Sequence, residues 1–160
     1  MIKPTLLSRI DSVGGELNAY TAKEETCIYA SFQKQYLERA VELIADITFN
    51  STFPVKEIEK EKDIIIDEIH SYKDTPAEQI YDDFETHLFN RHPLGNNILG
   101  TVESVKSFKQ KHIIDFIKRH YLIKNMVFSI VGNYKKEHVK KVMEKHFAHY
   151  STKGNPSIRK

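Results

Sequence analysis

Glu16-Leu17-Asn18-Ala19-Tyr20-Thr21-Ala22-Lys23-Glu24-Glu25-Thr26-Cys27-Ile28-Tyr29-Ala30-Ser31-Phe32 is the stretch in which the chain changes period. Leu17, Ala19 and Thr21 alternate with Asn18 and Tyr20, then Thr26, Ile28, Ala30 and Phe32 alternate with Cys27, Tyr29 and Ser31, which is the two-residue repeat of strands. The charged Lys23-Glu24-Glu25 between the runs predicts the turn of an antiparallel hairpin. On either side the period is helical. Leu6, Leu7, Ile10 and Val13 recur at helical spacing and stop at Gly14-Gly15, which predicts a short helix closed by a glycine cap. After the hairpin, Leu37, Ala40, Val41, Ile44, Ala45 and Thr48 form an i, i+3, i+4, i+7 stripe, so an amphipathic helix is expected to pack on the sheet.

Further along, Thr52-Phe53-Pro54 starts a helix expected to run to Tyr72, with Pro54 in its first turn and Glu57 and Glu59 near the positive end of its dipole. Asp74-Thr75-Pro76 breaks it and caps another, whose apolar positions are Ile80, Phe84 and Leu88. His92-Pro93-Leu94-Gly95 reads as a loop. Helical stretches follow around Val105 to Phe108 and Ile113 to Tyr121. Met126 to Val131, apolar and bounded by Asn125 and Gly132, predicts a buried strand, and residues 135–150 predict a last helix. Gly154, Asn155 and Pro156 mark 151–160 as a linker-like tail after a domain occupying 1–150. There is no internal repeat.

Composition narrows the classes. With 160 residues, 40% apolar and 29% charged, the chain has enough apolar material for a packed core, which excludes a disordered protein. No run of about 18 apolar residues offers a membrane span, and Met1 to Thr5 opens no signal-peptide apolar region, so the sequence leaves location open between cytoplasm and periplasm. The one cysteine, Cys27, excludes an intramolecular disulfide and a four-thiolate zinc site, and it reads as a small core residue without assigned chemistry. Charge is split: residues 1–100 hold 10 Lys/Arg against 18 Asp/Glu, and 101–160 hold 14 against 4. In the basic part Lys135, Lys136, Lys140, Lys141 and Lys145 interleave with Val139, Val142 and Met143, the pattern of a solvated helix face, so no nucleic-acid partner is expected.

The helix from Pro54 to Tyr72 carries the chemistry. At ~100° per residue, Ile64, Glu68, Glu61, Tyr72, Ile65, Ile58 and Ile69 fall within an arc of roughly 140°. Glu61 and Glu68, seven residues apart, lie in its middle. An ionised carboxylate is costly to bury unless it is paired, hydrogen-bonded or bound to a metal. The spacing leaves three readings: a stripe that is not fully buried, arginines from elsewhere pairing with both groups, or metal binding or catalysis.

The sequence resembles the pitrilysin/insulinase family of zinc peptidases, whose metal motif is H-x-x-E-H, and within it the processing-peptidase-like bacterial zinc proteases. The likeness rests on Val13-Gly14-Gly15-Glu16-Leu17-Asn18-Ala19-Tyr20-Thr21, Lys23-Glu24-Glu25-Thr26, Tyr29-Ala30, Glu38-Arg39-Ala40, Asn50-Ser51-Thr52-Phe53, Glu57-Ile58-Glu59-Lys60-Glu61, Ile66-Asp67-Glu68-Ile69, Leu94-Gly95, Ile98-Leu99-Gly100-Thr101 and Asn125-Met126-Val127, in the family's order. It implies that Glu68 is a zinc ligand, that Glu61 is a supporting carboxylate behind it, and that Asn18-Ala19-Tyr20 is the strand edge on which a peptide substrate lies. It also implies an α+β fold, an antiparallel-rich sheet with helices on one face, forming an incomplete first domain of the processing-peptidase-like type.

The departure from the family is its motif. His70, His87, His92, His112, His120, His138, His146 and His149 include no H-x-x-E-H, and His87, His92, His146 and His149 read as surface histidines. The resemblance therefore implies two histidine ligands and a glutamate base lying before Met1, in a parent zinc metalloendopeptidase that hydrolyses peptide bonds with metal-activated water. These 160 residues alone are expected to bind no stoichiometric zinc and to be inactive. The expected partners are a peptide or protein substrate and either a second copy, meeting over Ile58, Ile65 and Ile69 or along a strand edge, or a second peptidase-like half. The alternative is a non-catalytic scaffold or partner half of a two-subunit processing peptidase.

Overall fold

The computed structural model describes residues 4–150. Its order is α1 (Pro4–Asp11), β1 (Glu16–Thr21), β2 (Thr26–Ser31), α2 (Leu37–Phe49), α3 (Val55–Lys73), α4 (Pro76–Leu88), α5 (Val102–Ser107), α6 (Gln110–His120) and α7 (Lys136–Phe147). Single 3-10 turns occupy Lys34–Tyr36, Pro93–Gly95 and Ile123–Asn125. The fold is α+β, rich in helix, and the sheet among the described residues is the pair β1-β2. A four-residue connection makes that pair antiparallel, since a parallel pair needs a crossover of a dozen residues or more. The linker-like tail expected at 151–160 lies outside the described residues.

The described chain divides into two compact units, one built from Thr21–Thr26 and Phe53–Ile113, the other from residues 4–20, Cys27–Thr52 and residues 114–150. In the second unit α2 supplies the core. Ala40 and Leu43 bury fully with Ile10 of α1, and Ala30 and Phe32 at the end of the hairpin pack on them. Leu37 and Val41 meet Val142 of α7, with Ile130, Val139, Met143 and Phe147 around them. The helix α2 thus packs on the hairpin as its periodicity predicts. Gly14 ends α1 at φ +70, and the N–H of Gly15 returns to the carbonyl of Ile10 at 3.1 Å. A Cβ at Gly15 would stand 2.7 Å from Ile10 Cγ2 and 2.8 Å from the carbonyl oxygen of Ser31, so close packing of helix against strand requires glycine there.

In the first unit α3 packs on α4 and α5, burying Ile58, Ile69 and Val105. Thr101 and Ser104 form a reciprocal capping box that starts α5. Pro54 is the N-cap of α3, one position before its first turn. The hairpin tip belongs to this unit: Lys23 pairs with Glu85 of α4 at 2.8 Å and donates to the carbonyl of Asn96 at 2.8 Å.

One expected element differs. Met126 to Val131 forms no strand: no described segment pairs with it, and Val127 and Val131 are 96% exposed. The alternation is real, because Phe128 meets Phe147 at 5.6 Å and Ile130 joins the α2-α7 cluster. Only one face is packed, whereas an apolar run on both faces reads as a strand covered twice. The solvated face of α7 holds as read. Its lysines are exposed while Val139, Val142 and Met143 turn inward.

Candidate functional site

Glu61 and Glu68 both project from α3, seven residues and so roughly 10 Å apart along its axis. Glu61 is half-buried and Glu68 exposed. The buried line of α3 runs through Ile58 (9% exposed) and Ile69 (4%), with Lys62, Ile65 and Tyr72 half-buried beside it, while Ile64 is 53% exposed. The carboxylates therefore flank the buried stripe and do not occupy its centre. The reason is where the neighbours sit: α5 covers the Ile58-Ile69 side, and Lys62 takes a place on that side by donating to the carbonyl of Lys106 at 3.3 Å and to Glu59 at 2.8 Å. Among the described residues neither Glu61 nor Glu68 has an ion pair, and the stripe beside them is incompletely buried, Ile64 being 53% exposed. With Ile58 and Ile69 already buried, their face is not open to a second copy either.

A zinc hydrolase site takes three protein ligands and keeps one position open. Among the described residues no group of three or more His, Cys, Asp or Glu side chains could hold a metal ion. One exposed carboxylate does not compose that set, so the residues present do not fit a zinc centre by themselves.

Three of the histidines make local bonds. His87 Nδ1 lies 2.7 Å from the carbonyl of Asp83, His92 accepts from the N–H of Leu94 and His112 from that of Lys109, each a local bond on an exposed side chain. His146 departs from the expected surface position. Its side chain is 16% exposed, and its Nε2 is buried without a hydrogen-bond partner 3.6 Å from Glu38 Oε1. The Lys145 ammonium, hydrogen-bonded to Glu38, holds that carboxyl below the usual carboxylate range, and the same bond raises Lys145. This α2-α7 cluster was not legible from spacing, because its members lie 107 residues apart.

Asn18, Ala19 and Tyr20 are exposed on β1. The bond from Ala22 N–H to the carbonyl of Glu25 at 2.8 Å fixes the hairpin register. Peptide groups alternate in direction along an antiparallel strand, so Asn18 and Tyr20 direct theirs at β2 and Ala19 directs its own away, to the outer edge. There the Ala19 N–H is held by Asn18 Oδ1 at 2.8 Å. Tyr20 leans on Tyr29 across the sheet, ring centroids 6.3 Å apart. Among the described residues this outer edge has no partner strand, which is the backbone geometry an extended peptide can join.

Comparison with known proteins fits these elements. The model of the insulinase family, peptidase family M16, matches residues 3–102, and that of the peptidase M16 inactive domain matches residues 107–160. An uncharacterized zinc protease of Mycobacterium leprae is 38% identical over 148 residues, 92% of this chain and 33% of the relative. A probable mitochondrial-processing peptidase subunit beta of Arabidopsis thaliana is 34% identical over 147 residues, 92% of this chain and 28% of the relative. The crystal structure of an M16-like peptidase from Alicyclobacillus acidocaldarius superposes with a TM-score of 0.83 at 26% identity, covering 98% of this chain and 36% of that one. The chain spans about a third of the length of the curated relatives it matches, and several of them are named zinc proteases. No helix among the described residues is long and apolar enough to cross a membrane. The chain belongs to the insulinase family of peptidases, family M16.

Proposed function

We propose that the chain is a portion of a zinc-dependent metalloendopeptidase and that it contributes Glu68 as one metal ligand, Glu61 as the carboxylate that supports it, and Asn18-Ala19-Tyr20 as the edge that holds the peptide. In this reading residues 1–150 are a truncated first domain of the peptidase and 151–160 lead out of it. The observation that carries the proposal is the position of Glu68. It is an exposed, unpaired carboxylate on a 19-residue helix, at the point where the family pattern has a ligand. When bound, zinc supplies an activated water for peptide hydrolysis. The remaining ligands and the base come from polypeptide outside these residues, so the 160-residue chain by itself neither holds zinc nor hydrolyses peptides. Its parent acts on peptides or proteins and pairs with a second copy or a second peptidase-like half.

Dialysis of the 160-residue protein against a small excess of zinc, followed by metal analysis and a peptide-hydrolysis assay, tests this. No bound zinc and no turnover are expected. One tightly held zinc per chain, or zinc-dependent cleavage, sinks the proposal. The match of residues 107–160 to a domain described as inactive favours a second reading, a non-catalytic scaffold or partner half. A whole protein that binds zinc and cleaves peptides excludes it.

A further inference from the structure

A lysine side chain is seldom withdrawn from water unless it is paired. That of Lys23, in the turn between β1 and β2, is only 20% exposed, and its partners lie far along the chain. Its ammonium reaches Glu85 of α4 at 2.8 Å and donates to the carbonyl of Asn96 at 2.8 Å, 73 residues away. Both acceptors belong to one braced structure. Thr86, beside Glu85, donates to the carbonyl of Gly95 at 2.9 Å. The Asn97 amide donates to Asp82, and Asn97 Oδ1 accepts from the N–H of Leu99 at 2.8 Å. Asp82 and Glu85 are accordingly half-buried on α4 while Ile80, Phe84 and Leu88 are exposed: the polar face of the helix holds residues 95–99, and Lys23 closes on helix and loop together.

Stability alone does not account for such a pair. Lys23 and Glu85 give up part of their hydration to meet, which offsets much of their attraction, and the long lysine stem loses rotamer freedom. What the arrangement supplies is position, because one ammonium reaches both oxygens only within a narrow range of placements of the turn. That turn is the end of β1. Thr21–Thr26 forms one compact unit with Phe53–Ile113, in which α4 packs on α3, the helix of Glu68. We infer that Lys23 is a positioning residue for the peptide edge: it holds the Thr21 end of β1 in one place on α4, so that a peptide added along Asn18-Ala19-Tyr20 meets an edge already ordered. An edge ordered beforehand loses less entropy on binding. The inference rests on the reading of β1 as the substrate edge, and Lys23 itself is assigned no contact with peptide or metal.

Hydrogen exchange and kinetics test this together. Lys23→Met keeps an unbranched stem and removes both donations. In the 160-residue protein it should speed hydrogen exchange of the Ala22 amide, bonded to the carbonyl of Glu25 at 2.8 Å, by about tenfold, with the α2 amides and the far-UV circular dichroism spectrum unchanged. In the whole protein, with zinc content unchanged, it should raise KM about tenfold for a long peptide able to run along the six residues of β1, and leave kcat in place. A tripeptide, too short to use that edge, should keep both constants. Lys23→Arg, which can make both donations, should restore the long-peptide KM. Equal Ala22 exchange, equal KM for the long peptide, an equal loss on the tripeptide, or no rescue by arginine would overturn the inference. A whole protein that cleaves neither peptide before any substitution would instead sink the peptidase reading, and the inference with it.

Discussion

Glu68→Gln keeps the shape of the side chain and removes its charge, and the surroundings of Glu68 say what each readout should do. Its neighbours at helical spacing are Ile64, Ile65, Ser71 and Tyr72, none of them charged, and among the described residues it makes no ion pair. The substitution therefore breaks no intramolecular bond, and exposed changes of this kind stay within about 0.5 kcal/mol. At ~2–4 °C per kcal/mol for a domain of this size, the thermal midpoint should move by no more than about 2 °C. The metal readout should behave oppositely. A neutral amide is a poor replacement for a ligating carboxylate, and loss of even a supporting residue behind a ligand costs roughly 10–100-fold in metal affinity or activity. In the whole protein Glu68→Gln should lose at least that much zinc affinity, and peptide cleavage with it. Thermal melting, metal analysis and a cleavage assay on the same preparation separate the possibilities. Full zinc content with full turnover refutes the ligand assignment, and a midpoint lowered by more than about 5 °C refutes the exposed, unpaired environment.

Leu43→Ala, at a fully buried position between α1 and α2, should cost ~3 kcal/mol, read as a shift of the urea midpoint at constant slope; a change below about 1 kcal/mol would refute the packing there. Gly15→Ala should destabilise by ~1–3 kcal/mol, because its Cβ meets a backbone oxygen that cannot swing away, and a neutral result by thermal melting would refute that approach. Acid should act through Glu38, whose carboxyl is held below its ordinary value of 4.5, first by its hydrogen bond to Lys145. A depressed folded-state carboxyl contributes stability that is full above the unfolded value and lost as pH falls through the folded one. Lys145→Met should therefore flatten the acid limb of the thermal midpoint below about pH 4.5, slightly and only at low salt because both groups are largely exposed. Superimposable acid limbs at low salt would refute it.

The helices and the hairpin were legible because each sits where one period gives way to another and a breaker marks the change. Gly14 and Gly15 stop α1, and Asp74-Thr75-Pro76 separates α3 from α4. Period shows which residues share a face but not which face has a neighbour. That is why Glu61 and Glu68 could be aligned correctly and yet misjudged as central, why the Ile80-Phe84-Leu88 stripe could be found without its outward direction, and why Met126 to Val131 alternates like a strand without belonging to a sheet. The proposed roles of Glu61, Glu68 and Asn18-Ala19-Tyr20 came from the family pattern, which periodicity cannot supply. The Glu38, Lys145 and His146 cluster is a long-range meeting that no local pattern announces.

The Asn18 side chain, folded back on the N–H of Ala19, gives β1 a removable guard. An open strand edge accepts any extended chain, including a misfolded neighbour during synthesis. With that one donor occupied from within, a passing strand finds a bond already made and must break it before adding its own. A peptide anchored elsewhere in the protein can meet that toll, while a stray one gains too little. The residue proposed to meet a substrate would then also shield the strand edge from its own kind, both through a single hydrogen bond.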